Sequence, residues 1–232
     1  EAKKAQSQQT EAALKAERCE IYSDVDGIYT TDPRVEPKAR KLAEINYEEM
    51  LELATWGARV MHNRAVELGA VYNVPILVAS SFRDVPGTLI HGEGEMVEQR
   101  NKVSGIAYDT DVAKVTVRGV PDRPGIAATL FGPLSEAGIS IDTIVQNASV
   151  EQLTDVTFTV SRKDLHKVLP IVQEACRGID ATDLVTDDKL GKVSIIGTGM
   201  TTAPGYAALM FRTLFEEGIN IDMISTSEIR IT

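Results

Sequence analysis

Pro124-Gly-Ile-Ala-Ala-Thr-Leu-Phe-Gly-Pro-Leu-Ser-Glu-Ala-Gly-Ile-Ser-Ile-Asp142 returns, 80 positions later, as Pro204-Gly-Tyr-Ala-Ala-Leu-Met-Phe-Arg-Thr-Leu-Phe-Glu-Glu-Gly-Ile-Asn-Ile-Asp222. A supersecondary unit written twice is a domain written twice, so this repeat decides the fold of the C-terminal half. Just ahead of it, Val115-Thr-Val-Arg-Gly119 returns as Val193-Ser-Ile-Ile-Gly197 at an offset of 78, so the second copy has two more residues in its first loop. Within a copy, Val115 and Val117 alternate with polar residues as in a half-buried strand, and Gly119 opens a loop. Pro124 suits the first turn of a helix, Ile126, Leu130, Phe131 and Leu134 share one face of it, and Gly138 stops it. Ile139, Ile141 and Ile144 begin a second strand, and Val156, Phe158 and Val160 alternate as a third. Lys163 to Cys176 is a second helical pattern, in which Pro170 predicts a kink or a break. A strand near Asp180 to Val185 completes β-α-β-β-α-β, the ferredoxin-like arrangement. By Thr232 the second copy has reached only its third strand, so its last helix and strand are either cut off or supplied by another segment.

Working outward from the repeat, the preceding stretch has a different character. Ile21-Tyr-Ser-Asp-Val-Asp-Gly27 reads as a strand running into an Asp-Gly turn, and Tyr47 to Thr55 as a helix through Met50, Leu51 and Ala54. Val60 to Tyr72 is a second helix and Ile76-Leu-Val-Ala a short buried strand. Gly92-Glu-Gly-Glu suggests a linker, which puts a boundary between Ile90 and Lys102. Residues 1–11 read as a polar tail or a frayed helix. The expected fold class is therefore α/β (α+β): an α/β segment followed by two ferredoxin-like units, the second incomplete.

Composition narrows the function. The 232 residues are 43 % apolar and 25 % charged, enough for one large cored domain or two to three small ones. A net charge of -10 repels phosphate backbones and anionic lipid, so neither nucleic acid nor a membrane is an expected partner. No apolar run approaches the ~20 residues of a spanning helix and the first residues do not read as a signal peptide, so the expected location is the cytoplasm. Cys19, Cys176 and three scattered histidines form neither a disulfide framework nor a metal site.

Two stretches carry chemistry. In Ser23-Asp-Val-Asp-Gly-Ile-Tyr-Thr-Thr-Asp-Pro-Arg34 a strand end delivers carboxylates to a turn. These suit ribose hydroxyls or a metal-bound phosphate, Tyr29 offers a stacking face and Arg34 a bidentate phosphate donor. Spacing alone favours a solvated Asp-rich turn between two elements, since such turns are common. Asp122-Arg-Pro-Gly125 sets a carboxylate before the free N–H groups of a helix start, so one loop can meet both ends of an amino-acid zwitterion. On spacing alone, Pro-Gly is also simply a helix start. The second copy has Thr201-Thr-Ala203 in that place and lacks the ammonium partner, so one effector site per chain, in the first copy, is expected.

Cys19 to Arg34, Ala39-Arg-Lys-Leu42, Glu49 to Ala54, Gly57-Ala-Arg-Val60 and Pro86-Gly-Thr-Leu-Ile90 together resemble the ATP-side half of aspartate kinases. The repeat, with Gln146-Asn147 and Asn220 to Arg230, resembles the paired ACT domains of the same enzymes. The resemblance covers about residues 12–232. It implies a tail at 1–11, part of the catalytic domain at 12–92 and a linker with a possible strand of the second ACT domain at 93–113. The first ACT domain would then occupy 114–188 and the truncated second 189–232.

The resemblance further implies phosphorylation of the aspartate β-carboxylate by ATP with Mg2+, in the route to lysine, threonine and methionine, with lysine and/or threonine as feedback effectors. Ser23, Asp24, Tyr29, Arg34 and Arg59 would bind ATP; the family usually has Lys at the position of Arg59, and Arg presents a planar fork instead of a compact ammonium. Asp122, Gly125, Ile126, Ala127, Gln146, Asn147, Thr154 and Asp155 would bind the effector in the first copy. Asn220, Ile221, Ser225, Ser227 and Glu228 would line the facing domain. The family's Lys-Phe-Gly-Gly and Arg-Gly-Gly-Ser-Asp motifs do not occur in the sequence, so the chain by itself is expected to be inactive. Expected partners are a second copy, through the ACT domains, or a catalytic kinase chain. The alternative reading is a non-catalytic, amino-acid-sensing regulatory subunit.

Overall fold

The computed structural model describes residues 16–57, 60–92, 102–147, 152–200 and 203–232. It divides into two compact units, the first formed by Glu1–Tyr108 with Val193–Thr232 and the second by Asp109–Lys192.

In the first unit, β1 (Cys19–Ser23), β2 (Glu44–Asn46), β3 (Ile76–Ser80) and β4 (Thr88–His91) form a sheet in the order β1-β3-β4-β2. β1 runs parallel to β3 and β2 parallel to β4, while β3 and β4 are antiparallel. Helix α1 (Tyr47–Trp56) starts where the Asn46 side chain accepts from the Glu49 N–H, and its Met50 and Leu53 are buried in the core with Ile21, Ile45, Ile76 and Ile90. Helix α2 begins at Asn63, not at Val60, because His62 occupies the cap: its Nδ1 accepts from the Arg64 N–H at 3.2 Å. From the C-terminal part, α5 (Tyr206–Glu216) and β9 (Arg230–Ile231) belong to this unit, β9 pairing antiparallel with the end of β8 (Asp183–Ile196).

In the second unit, β6 (Ile144–Gln146), β7 (Leu153–Val160), β5 (Gly105–Pro121) and β8 lie side by side in that order. Helices α3 (Ile126–Glu136) and α4 (Leu165–Ile179) supply Leu130, Leu134, Val168, Val172 and Ile179 to a core with Val115, Val117, Val156 and Phe158. Phe131 meets Phe158 edge to face, ring centroids 5.3 Å apart. Helix α4 runs through Pro170 without a break, because a buried stripe at Val168, Val172, Ala175 and Ile179 holds it where the lost N–H bond would loosen it. The strand expected from Ile139 is regular only from Ile144. Before that, Ile139 N–H closes the helix end on Leu134 O and Asp142 N–H reaches Thr159 O. The expected division at 188/189 falls inside β8, a single strand continuous from Asp183 to Ile196.

The repeat is visible in backbone detail. Helices α3 and α5 occupy corresponding positions, and both follow a glycine at positive φ, Gly125 at 93° and Gly205 at 106°. Both are followed by one as well, Gly138 at 69° and Gly218 at 70°.

Candidate functional site

Ser23 and Ser80 are register partners at the carboxyl ends of the parallel strands β1 and β3, the end at which α/β sheets receive ligands. The loop leaving Ser23 carries the expected nucleotide contacts. Asp24 is exposed and accepts from Ser23 Oγ at 2.9 Å. Tyr29 is half-buried and bridges to Lys41. Arg34 is exposed and forked onto Asp32, with both guanidinium bonds at 3.1 Å. That hydrogen bond lowers the Asp32 pKa and raises that of Arg34, so the fork stands preformed and charged. Arg59 lies outside the described residues.

What fixes this loop was not among the expected residues. Thr88, fully buried on β4, accepts from Ile28 N–H at 2.8 Å and donates to Leu42 O at 2.6 Å, tying both ends of the loop to the sheet. Gly27 sits against it at φ 150°, where an added Cβ would stand 2.4 Å from Thr88 Oγ1. Asp26, also buried, is gripped by both arms of Arg83 from the β3–β4 connection. The sequence signal for Thr88 was a lone hydroxyl heading a short apolar run; nothing marked its two partners, 60 and 46 residues away.

In the second unit, register gathers the first copy's candidates at one end of the sheet. Val120 faces Thr154, Pro121 faces Leu153 and Gln146 faces Val156, while Asp122 N–H bonds Gln152 O and Asn147 N–H bonds Asp155 O. Asp122, Gly125, Ala127, Gln146 and Asn147 are exposed and Ile126 is half-buried. Gly125 gives α3 no side-chain cap, so the first N–H groups of the helix stay open to a carboxylate. Thr154 and Asp155 have structural bonds: Thr154 Oγ1 donates to Asn147 O at 2.7 Å and Asp155 Oδ1 accepts from Gly119 N–H at 3.0 Å. These bonds tie Gly119 and Asn147 to β7.

The second copy's candidates lie in the first unit. Asn220, Ser227 and Glu228 are exposed, Ile221 and Ser225 half-buried. Ser225 and Thr232 exchange both backbone bonds, at 2.9 and 2.8 Å, and Ser227 N–H reaches Arg230 O, so residues 225–232 form a tight hairpin. Among the described residues no cluster of three metal-ligating side chains occurs, and no helix is long and apolar enough to cross a membrane.

Residues 12–80 match the amino acid kinase family, and residues 115–177 and 193–232 each match the ACT domain. Over 223 residues the chain is 51 % identical to the aspartokinase of Pseudomonas aeruginosa, covering 95 % of this chain and 54 % of that protein. It thus spans about half the length of the curated relatives it matches. Escherichia coli aspartokinase III, solved with aspartate and ADP, matches 98 % of this chain and 51 % of its own at 28 % identity and a TM-score of 0.78. The same enzyme with lysine and aspartate matches at 27 % identity, 98 % of this chain and 50 % of its own, and a TM-score of 0.74. The regulatory subunit of aspartate kinase from Thermus thermophilus matches at 36 % identity, over 56 % of this chain and 86 % of its own, with a TM-score of 0.53.

Proposed function

Because the chain belongs to the aspartate kinase family and matches its C-terminal part, we propose that it supplies the nucleotide-side half of the kinase site and the amino-acid-sensing ACT pair. The whole protein would transfer the γ-phosphoryl group of ATP to the β-carboxylate of aspartate in the cytoplasm, under feedback by lysine and/or threonine. The observation that carries this reading is the 51 % identity over 223 residues, a match that covers 95 % of the chain.

In this reading the nucleotide lies at the carboxyl ends of β1 and β3. Tyr29 stacks on the base, Ser23 and Asp24 take the ribose and the phosphates' Mg2+ ion, and Arg34 exchanges Asp32 for phosphate oxygens. Arg59 adds a second cation. Mg2+ would arrive on the phosphates and keep most of its ligands from them and from water, which fits an exposed carboxylate at Asp24. The effector's ammonium meets Asp122 and its carboxylate the open N–H groups at Gly125, Ile126 and Ala127. Gln146 and Asn147 close one side, and Thr154 and Asp155 brace it. Asn220, Ile221, Ser225, Ser227 and Glu228 are the second copy's proposed effector contacts. We further propose a homodimer through the ACT domains.

A second reading, a regulatory subunit that pairs with a catalytic chain, is favoured by the match to the Thermus thermophilus subunit. Titration calorimetry separates the two. The first reading expects ADP and an amino acid each to bind the chain, and Arg34→Ala to weaken ADP alone. A purely regulatory chain would bind the amino acid and not ADP.

A further inference from the structure

The connection between β3 and β4, residues 81–87, leaves the sheet at the same end as the loop that follows β1, since Ser23 and Ser80 are partners in parallel strands. The Ser81 N–H donates to Ser23 O at 2.7 Å and carries the two segments side by side one step past the strands. Further bonds fasten them to each other. Arg83 puts both arms on Asp26, with its Nε 3.0 Å from Oδ1. Lys41, the residue to which Tyr29 bridges, donates from Nζ to Pro86 O. Thr88 then closes the connection on Ile28 and Leu42. Gly87 just before it has no room for a side chain, because a Cβ would run into Val78 O. Residues 81–87 are thus held against the loop that carries Asp24, Tyr29 and Arg34.

Phe82 is the side chain that this fastening leaves without a use in the fold. It is 80 % exposed. A single exposed apolar residue is ordinary on a protein surface, so exposure by itself assigns nothing. What sets Phe82 apart is that its backbone is fixed on both sides. Ser80, a buried residue, accepts at Oγ from the Phe82 N–H and from the Arg83 N–H, each at 3.2 Å, and the Arg83 side chain is in turn fixed on Asp26. A benzyl group has no hydrogen bond or charge to offer, so a ring presented on a fixed backbone can serve a ligand only by apolar contact or by stacking. A nucleotide base is a flat partner with two faces. Tyr29 can cover one of them from the loop after β1, and the other stays wet unless a group from a second segment meets it.

We propose that Phe82 stacks on the base of the bound nucleotide, so that the base lies between the loop after β1 and the connection after β3. This rests on the reading of the nucleotide site given above. Phe82 contributes affinity for the nucleoside end and none for the phosphates, which belong to Asp24 with its Mg2+ ion and to Arg34. Arg83 and Asp26 are positioning residues that hold the ring in place.

The split between base and phosphate makes the proposal measurable by calorimetry on the full chain with Mg2+ present. Phe82→Ala is expected to weaken ADP binding about five- to a hundredfold, and Phe82→Tyr, which keeps a ring, to stay within about threefold of the wild type. Inorganic pyrophosphate, which has no base, is expected to bind the wild type and Phe82→Ala alike, and the urea midpoint is expected not to move because the ring is buried in nothing. ADP affinity equal in the wild type and Phe82→Ala overturns the stacking and leaves the nucleotide site standing. A loss shared equally by ADP and pyrophosphate, or shared in full by Phe82→Tyr, overturns it as well, since the ring would then only shape the phosphate-binding loop. A wild-type chain that binds no ADP overturns the nucleotide reading and the stacking with it.

Discussion

Thr88 shows how a single hydroxyl can hold a loop on a sheet. Replacing it by Val keeps the shape but leaves the Ile28 N–H and Leu42 C=O buried without partners, at about 1–3 kcal/mol for each group. A urea melt of Thr88→Val is expected to show that loss, and ADP affinity should fall with it. Tyr47 is the opposite case. Its hydroxyl is buried with no partner among the described residues, and burial pushes its pKa up to about 12. The unfolded chain releases that proton near pH 10 and the folded chain holds it, so stability present below pH 10 drains away as pH rises toward about 12. Tyr47→Phe should leave neutral-pH stability equal or higher and flatten the alkaline decline, as pH-dependent melts would show. Asp122 belongs to the proposed effector site. Asp122→Ala is expected to weaken binding of lysine or threonine by about 1.5–3 kcal/mol, ten- to a hundredfold, with little change in stability. A small stability loss with intact affinity would make it only a loop residue ahead of α3.

Among elements, the repeat was the most legible feature, since apolar spacing and two glycines delimit α3 and α5 in the sequence itself. Their surroundings were not legible. Leu134 of α3 is 0 % exposed, packed in the second unit's core with residues of α4, whereas its counterpart Leu214 on α5 is half-exposed and α5 buries no residue fully. Leu134→Ala should therefore cost about 2–5 kcal/mol and Leu214→Ala about 1 kcal/mol or less, although the two local sequences match. Sequence also gave no sign that β8 passes unbroken from one copy to the next, because Asp187-Asp-Lys-Leu-Gly191 has the composition of a turn and only pairing to neighbours keeps it extended. In the candidate sites, residue types and loops were readable from the chain. The bonds that hold the nucleotide-side loop came from Thr88 and Arg83, whose partners lie 46 to 60 residues away, beyond the reach of local pattern.

At the scale of the molecule, α5 leaves Phe215 80 % exposed with Leu209 and Ile219 beside it, and β6 is an open edge strand carrying an exposed Ile144. Apolar surface and free strand edges of this kind seek cover in a second chain. Sedimentation is expected to show a dimer at micromolar concentration, and a monomer throughout would contradict the proposed ACT-mediated association. The first unit has another property at this scale: it is discontinuous, built from residues before Asp109 and residues after Lys192. During synthesis the second unit is complete once Lys192 has left the ribosome, while the first still waits for Thr198, whose N–H and hydroxyl meet Glu49, and for Arg230, whose guanidinium lies over the Trp56 ring, a delay of a few seconds at about 5–20 residues per second. Until then Glu49 and Trp56 stand wet and uncovered. A nascent chain that stalls in this interval would carry a finished insert inside an unfinished host, and that is the stage at which a chaperone would have most to hold.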